Sequence, residues 1–192
     1  MKKYSYQVTN DDDSMNPRTD WDNVTTMVCF HNRYNIGDKH DYKSNNFNGW
    51  DELKEQIESD HNVLAILPLY MYDHSGITIS TSPFGCQWDS GQIGWVFITL
   101  EKLKLMFGED KSFKLNELID SDVKTYDQYL TGDVYRYEVY ENETCNLGCE
   151  HKNVIESCGG YYDEAEAESE AKAMVEQYEK IQESRLAELH NN

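Results

Sequence analysis

Apolar positions along this chain alternate, run together or recur at helical spacing, and each pattern predicts a different element. Residues 4–8 predict a short strand, and residues 24–31 (VTTMVCFH) a second one rich in β-formers. Between them, Asp11-Asp12-Asp13 opens an acidic loop that runs to Asp22. Residues 32–48 have no period and read as a long loop. Trp50, Leu53 and Ile57 then share one helical face, predicting a helix from Gly49 to about Ser59.

Residues 63–72 form a nearly continuous apolar run with Pro68 inside it. A proline has no N–H to give a sheet, so it belongs at an edge or a bulge. Residues 77–82 alternate like a half-buried strand, and residues 94–99 are apolar throughout. Short links predict that these three strands share one antiparallel sheet. Residues 100–107 predict a helix that stops at Gly108. Residues 115–130 predict another, burying Leu118, Ile119, Val123 and Tyr126. Residues 134–140 alternate as a strand, 145–151 read as a turn, and 154–158 as the returning strand. Residues 163–189 lack Gly and Pro and predict one long helix. The mixed order predicts an α+β fold: an antiparallel sheet, several short helices and a long acidic C-terminal helix. The expected division is a core over residues 1–162 and the helix over residues 163–192.

Charge changes this picture. Seventeen basic residues face thirty-six acidic ones, a net charge of −19. Fourteen Tyr and four Trp argue for a folded acidic protein, since disordered acidic chains are poor in aromatics. The acidity argues against direct binding of nucleic acid or an anionic membrane and favours a basic partner. No apolar core follows Met-Lys-Lys, and no run reaches the roughly 18 apolar residues of a membrane span. Five unevenly placed Cys fit a reducing cytoplasm.

The densest chemistry lies in residues 67–94, LPLYMYDHSGITISTSPFGCQWDSGQIG. Asp73, His74, Cys86, Asp89, Ser90 and Gln92 crowd between apolar runs, where loops on a rigid scaffold tend to carry function. One reading is a polar network that pins the loop. The alternative is a small hydrolase or transferase centred on His74 and Cys86, with Asp73 or Asp89 orienting the base. Against it, Cys86 has no helix N-terminus or strand-to-helix elbow beside it.

Cys145, Cys149, His151 and Cys158 offer three thiols and an imidazole, the donor types of a structural zinc site, in a spacing unlike the usual paired cysteines. No other cofactor is expected: phosphate-binding, nucleotide and H-E-x-x-H motifs are missing. In the long helix Ala167, Ala171, Met174, Tyr178 and Ile181 recur near heptad spacing until Arg185 breaks the seam. That stripe either docks on the core or offers a homodimer or partner interface. Glu164, Glu168, Glu176 and Glu179 lie on its other faces.

YMYDHSGITISTSPFGCQWDSGQIGWVFIT, with TYDQYLTGDVYRYEVY and ESCGGYY downstream, resembles a family of phage and mobile-element proteins. The family pattern is a Y-DHSG-ITxxT-PF-C-WDSGQ-G core, then YDQYLTGDVYG-like and DSCWGFYG-like segments. The likeness covers residues 67–162, about half the chain. Two departures stand out: Arg136 replaces the Gly of the second segment, and Gly159-Gly160 replaces a Trp-Gly pair. The resemblance implies a phage or plasmid origin. Such gene sets include inhibitors of host defence, among them type II anti-CRISPR proteins, which this chain resembles. It thus implies an inhibitor at work in the host cell cytoplasm, whose partner is a basic nucleic-acid-handling protein, a CRISPR effector nuclease. On that reading the carboxylates of Glu164, Glu168, Glu176 and Glu179, or of Asp11, Asp12 and Asp13, stand in for DNA phosphates.

Overall fold

The computed structural model describes residues 3–110, 112–145 and 147–190. Its helices and antiparallel sheets make the fold α+β. The chain groups into two compact units, one of residues 16–131 and one of residues 1–15 with 132–192.

In the 16–131 unit, a four-stranded sheet has the order β2-β5-β3-β4. Its strands are β2 (Thr25–Cys29), β3 (Val63–Asp73), β4 (Ile77–Ser80) and β5 (Ser90–Thr99). All pairings are antiparallel, as the sequence pattern predicts. The apolar run of β5 is explained by burial on both faces. Val96 and Ile98 join Met27, Leu69 and Met71 in a core closed by Ile119, Val123 and Tyr126 of α4 (Leu115–Thr131) and Leu103 of α3 (Leu100–Phe107). Trp95 and Phe97 point the other way, with Val28, onto Leu53 and Ile57 of α2 (Trp50–Asp60). A strand covered on both sides has no reason to alternate. β5 also starts earlier than expected, taking in Ser90 and Gln92.

Pro68 sits opposite Trp95, and β4 pairs with β3 only from Tyr70 to Asp73. The proline therefore lies where β3 has a single neighbour among the described residues, and the register shifts between Leu69 and Tyr70. Gly94 is required for a different reason. A Cβ there would fall 2.0 Å from the Val28 carbonyl oxygen, so no larger residue fits between β5 and β2. The acidic loop is not all loop: α1 (Pro17–Asp20) opens with Asn16 accepting from the Arg18 N–H.

The second unit is a three-stranded sheet of order β1-β6-β7, with β1 (Lys3–Asn10), β6 (Tyr135–Thr144) and β7 (Glu150–Tyr161). The β6–β7 ribbon runs past its apolar segment because hydrogen bonds continue through Thr144 and Glu150. α5 (Glu164–His190) starts at Asp163, whose carboxylate accepts from the Ala165 N–H at 2.8 Å. Ala167 and Ala171 are fully buried, and Met174, Val175 and Tyr178 pack with Tyr6, Val8, Tyr137 and Val139. The expected separation of a 1–162 core from the helix differs from this grouping. The small residues of α5 let it lie flat on its own sheet, so the helix is part of that unit. The same packing uses the first half of the seam that offered a dimer interface, leaving Ile181 exposed. Among the described residues, no helix is long and apolar enough to cross a membrane.

Candidate functional site

The strand order decides which motif residues meet. In β5-β3-β4, the end of β3, the β3–β4 turn and the start of β5 share one end of the sheet. Tyr72 faces both Thr78 and Ser90, and the Asp73 N–H donates to the Asp89 carbonyl at 2.8 Å. There His74 Nδ1 lies 3.2 Å from Asp89 Oδ2. Cys86 Sγ donates to that same oxygen at 3.8 Å, and the Ser90 hydroxyl donates to the Cys86 carbonyl. The His74 ring stacks on Tyr72, which in turn meets Phe84.

This arrangement is a clasp across the loop. The thiol's hydrogen-bond partner is a carboxylate, not the imidazole. The expected hydrolase needs the His74 imidazole beside the thiol to take its proton, and that contact is not made here. The His74 side chain is 63% exposed, open to water rather than enclosed.

Two expected members stand outside the clasp. Asp73 turns to Arg33 Nη1 at 3.0 Å and accepts from the Tyr34 hydroxyl at 3.2 Å. Gln92 donates along its own strand to the Gly94 carbonyl at 3.1 Å. The single network expected from the sequence is therefore a clasp, a separate ion pair and a strand-bound amide. Arg33 and Tyr34 carry no periodic signal in their loop; the available hint was that only four Arg occur in the chain. Trp88 is 95% exposed at the tip of this segment, although it is flanked by clasp residues.

The Cys/His set does not converge. Cys145 and Cys149 face each other across the β6–β7 turn, with the Cys149 N–H donating to Cys145 Sγ at 3.3 Å. Backbone N–H groups, Leu147 first and then Cys149, hold the Cys145 thiol below its usual pKa. His151 lies beside them on β7, opposite Glu143, whereas Cys158 lies opposite Tyr137. Seven residues of strand separate Cys158 from His151, about 20 Å at the usual rise. Cys158 thus drops out of the expected ligand set, and among the described residues no group of three or more His, Cys, Asp or Glu is placed to hold a metal ion.

The carboxylates divide into structural and displayed ones. Asp11 Oδ2 accepts from the Gly160 N–H at 2.9 Å, so this residue latches the end of β1 onto β7. Asp12 and Asp13 are exposed in the turn beside it. Glu168 accepts from Lys172 Nζ at 2.9 Å and from the Tyr6 hydroxyl at 3.0 Å, and those contacts, the lysine's first, lower its pKa. Glu176 lies 3.8 Å from Lys180 Nζ. Glu164 and Glu179 are exposed on the same helix, with Glu166, Glu170 and Glu183.

No family model, curated protein or solved structure matches the chain.

Proposed function

We propose that the protein inhibits a host defence nuclease of the CRISPR effector type, carried by a phage or another mobile element and acting in the host cytoplasm. The observation that carries this reading is a long helix presenting acid on its outer faces. α5 holds eight Glu against two Lys and one Arg, on a chain of net charge −19. Its 27 residues extend about 40 Å at 1.5 Å per residue. Carboxylates three or four residues apart on a helix lie about 5–6 Å apart at Cβ. Phosphates rise about 3.4 Å per nucleotide along a duplex strand, so the spacing of such carboxylates is of the same order as that of a DNA backbone. Docking of α5 on its sheet as far as Tyr178 orders the acid carried on that stretch before binding, which lowers the entropic cost.

The test is a cleavage and DNA-binding assay of a purified CRISPR effector nuclease with its guide, with the protein added in rising molar ratio. The expected result is inhibition complete near one molecule per nuclease. It should weaken as salt rises, because exposed charges are screened over about 8 Å at physiological ionic strength. Glu164→Lys with Glu179→Lys should weaken inhibition more than Glu168→Lys with Glu176→Lys, whose carboxylates already carry lysines. Substoichiometric, salt-insensitive inhibition that Cys86→Ser abolishes would overturn this reading in favour of an enzyme.

A further inference from the structure

A second candidate site lies in the 16–131 unit, away from the motif loop. A cleft of about 730 Å³ opens between α2 and the loop before it, over a floor formed by Val28 and Phe97. That is within the roughly 300–1,000 Å³ range of ligand sites. The rings of Tyr42 and Phe47 form one wall, 6.2 Å apart between centroids. Asp60, Glu52 and Asp41 bring three carboxylates to the lining, against Lys39 and the imidazoles of His40 and His61, the latter 3.3 Å from the Tyr42 hydroxyl.

Asp60 is held in place from both sides. Its Oδ1 accepts from Gln56 Nε2 at 2.8 Å, and its Oδ2 accepts from the Tyr42 hydroxyl at 2.9 Å. Each carboxylate oxygen has two lone pairs, so one remains on each for a further donor. Two fixed acceptors side by side match the paired N–H groups of a planar guanidinium. The Tyr42 and Phe47 rings, tilted 57° to each other, put aromatic surface in the lining; a guanidinium stacks on such surface better than a compact, strongly hydrated ammonium does. The apolar floor suits the methylenes that carry the guanidinium. A phosphate or carboxylate ligand would meet like charge.

We infer that this cleft is a receptor for a guanidinium group, filled by an arginine side chain of a bound protein. The identity of that protein as the inhibited nuclease rests on the function proposed above; the guanidinium chemistry does not.

The experiment uses the full chain alone and N-acetyl-L-arginine methylamide as probe, followed by NMR of the Tyr42, Phe47 and His61 ring signals. Saturable shifts with a millimolar dissociation constant are expected. The lysine analogue should bind at least tenfold more weakly, and AMP should leave these signals unmoved. Asp60→Asn keeps the side chain's shape and should weaken arginine binding about tenfold without moving the thermal midpoint. Should that variant unfold, Phe47→Leu, which keeps apolar volume but removes the ring, must weaken binding instead. Unmoved ring signals, equal binding of the lysine analogue, AMP binding in the cleft, or unchanged affinity in the folded variant would each overturn the site. Nuclease inhibition is scored separately. Intact arginine binding without inhibition leaves the guanidinium site standing and removes its assignment to the nuclease. Inhibition that persists undiminished in Asp60→Asn also removes that assignment.

Discussion

Arg18 Nη2 lies 2.6 Å from Asp38 Oδ2, and the arginine side chain is only 1% exposed. Its Nη1 reaches Asp122 of α4 at 3.1 Å and the Thr25 hydroxyl at 3.2 Å, while the Asp38 carboxylate also accepts from the Met27 N–H at 2.9 Å. Burial opposes the charge on Arg18, yet the hydrogen bonds and attraction of the two aspartates raise its pKa further. One buried cation thus ties α1, β2, α4 and the loop after β2 together.

Removing it should be severe. Arg18→Met fills the volume but strands two carboxylates, and breaking a buried pair costs about 3–5 kcal/mol. Urea unfolding followed by tryptophan fluorescence measures this. A loss under about 1 kcal/mol would mean that water or Lys102 replaces the guanidinium.

Alkali should weaken the fold. Burial first, then the Asp38 charge, pushes the Cys29 thiol up to about 12. Burial, then the hydrogen bond to Asp60, pushes the Tyr42 phenol up to about 12. Both groups hold their protons more tightly in the folded chain than at their ordinary values of 9.0 and 10.0. Their contribution is therefore complete below those values and lost as pH rises toward 12. Urea midpoints should fall between pH 9 and 12, less steeply in Tyr42→Phe. A level midpoint across that window contradicts the argument.

The clasp should be mild in energy. Asp89 is 40% exposed on its side chain, so the hydrogen bonds to His74 and Cys86 compete with water. Asp89→Ala should cost less than about 1 kcal/mol, because the backbone bond between Asp89 and Asp73 survives it. Thermal melts measure the loss. Cys86→Ser should leave nuclease inhibition unchanged, since no step in that reading uses the thiol.

Gly159 and Asp11 should be energetically coupled. A Cβ at Gly159 would fall 2.3 Å from Asp11 Oδ2. Gly159→Ala must push the carboxylate off the Gly160 N–H, a net hydrogen bond of about 1 kcal/mol. In the background of Asp11→Ala the same substitution should cost little, a coupling that a double-mutant cycle reads directly. Additive costs would show that the latch and the glycine act separately.

What the sequence determined by itself was local. Alternation and apolar runs gave the strands of both sheets, the 3.6-residue spacing of Leu53 and Ile57 gave α2, and Gly108 marked the end of α3. These signals are legible because they come from backbone geometry within a few residues. The crowding of His74, Cys86 and Asp89 was visible too, since a hairpin and its neighbour bring them together. Tertiary structure alone decided the partners. Arg18 looked like one scattered base, and it meets residues 20 and 104 positions away. Asp11 read as displayed acid and is a latch, because its fate depends on β7 folding back 149 residues later. Cys158 supplied a ligand of the right type, but an extended strand carries it away from His151. The seam of α5 suited a core or a second copy equally well, and the sheet of its own unit covered it first. Spacing along a chain limits which residues can share a face; which face meets which is set by packing between segments that the spacing does not record.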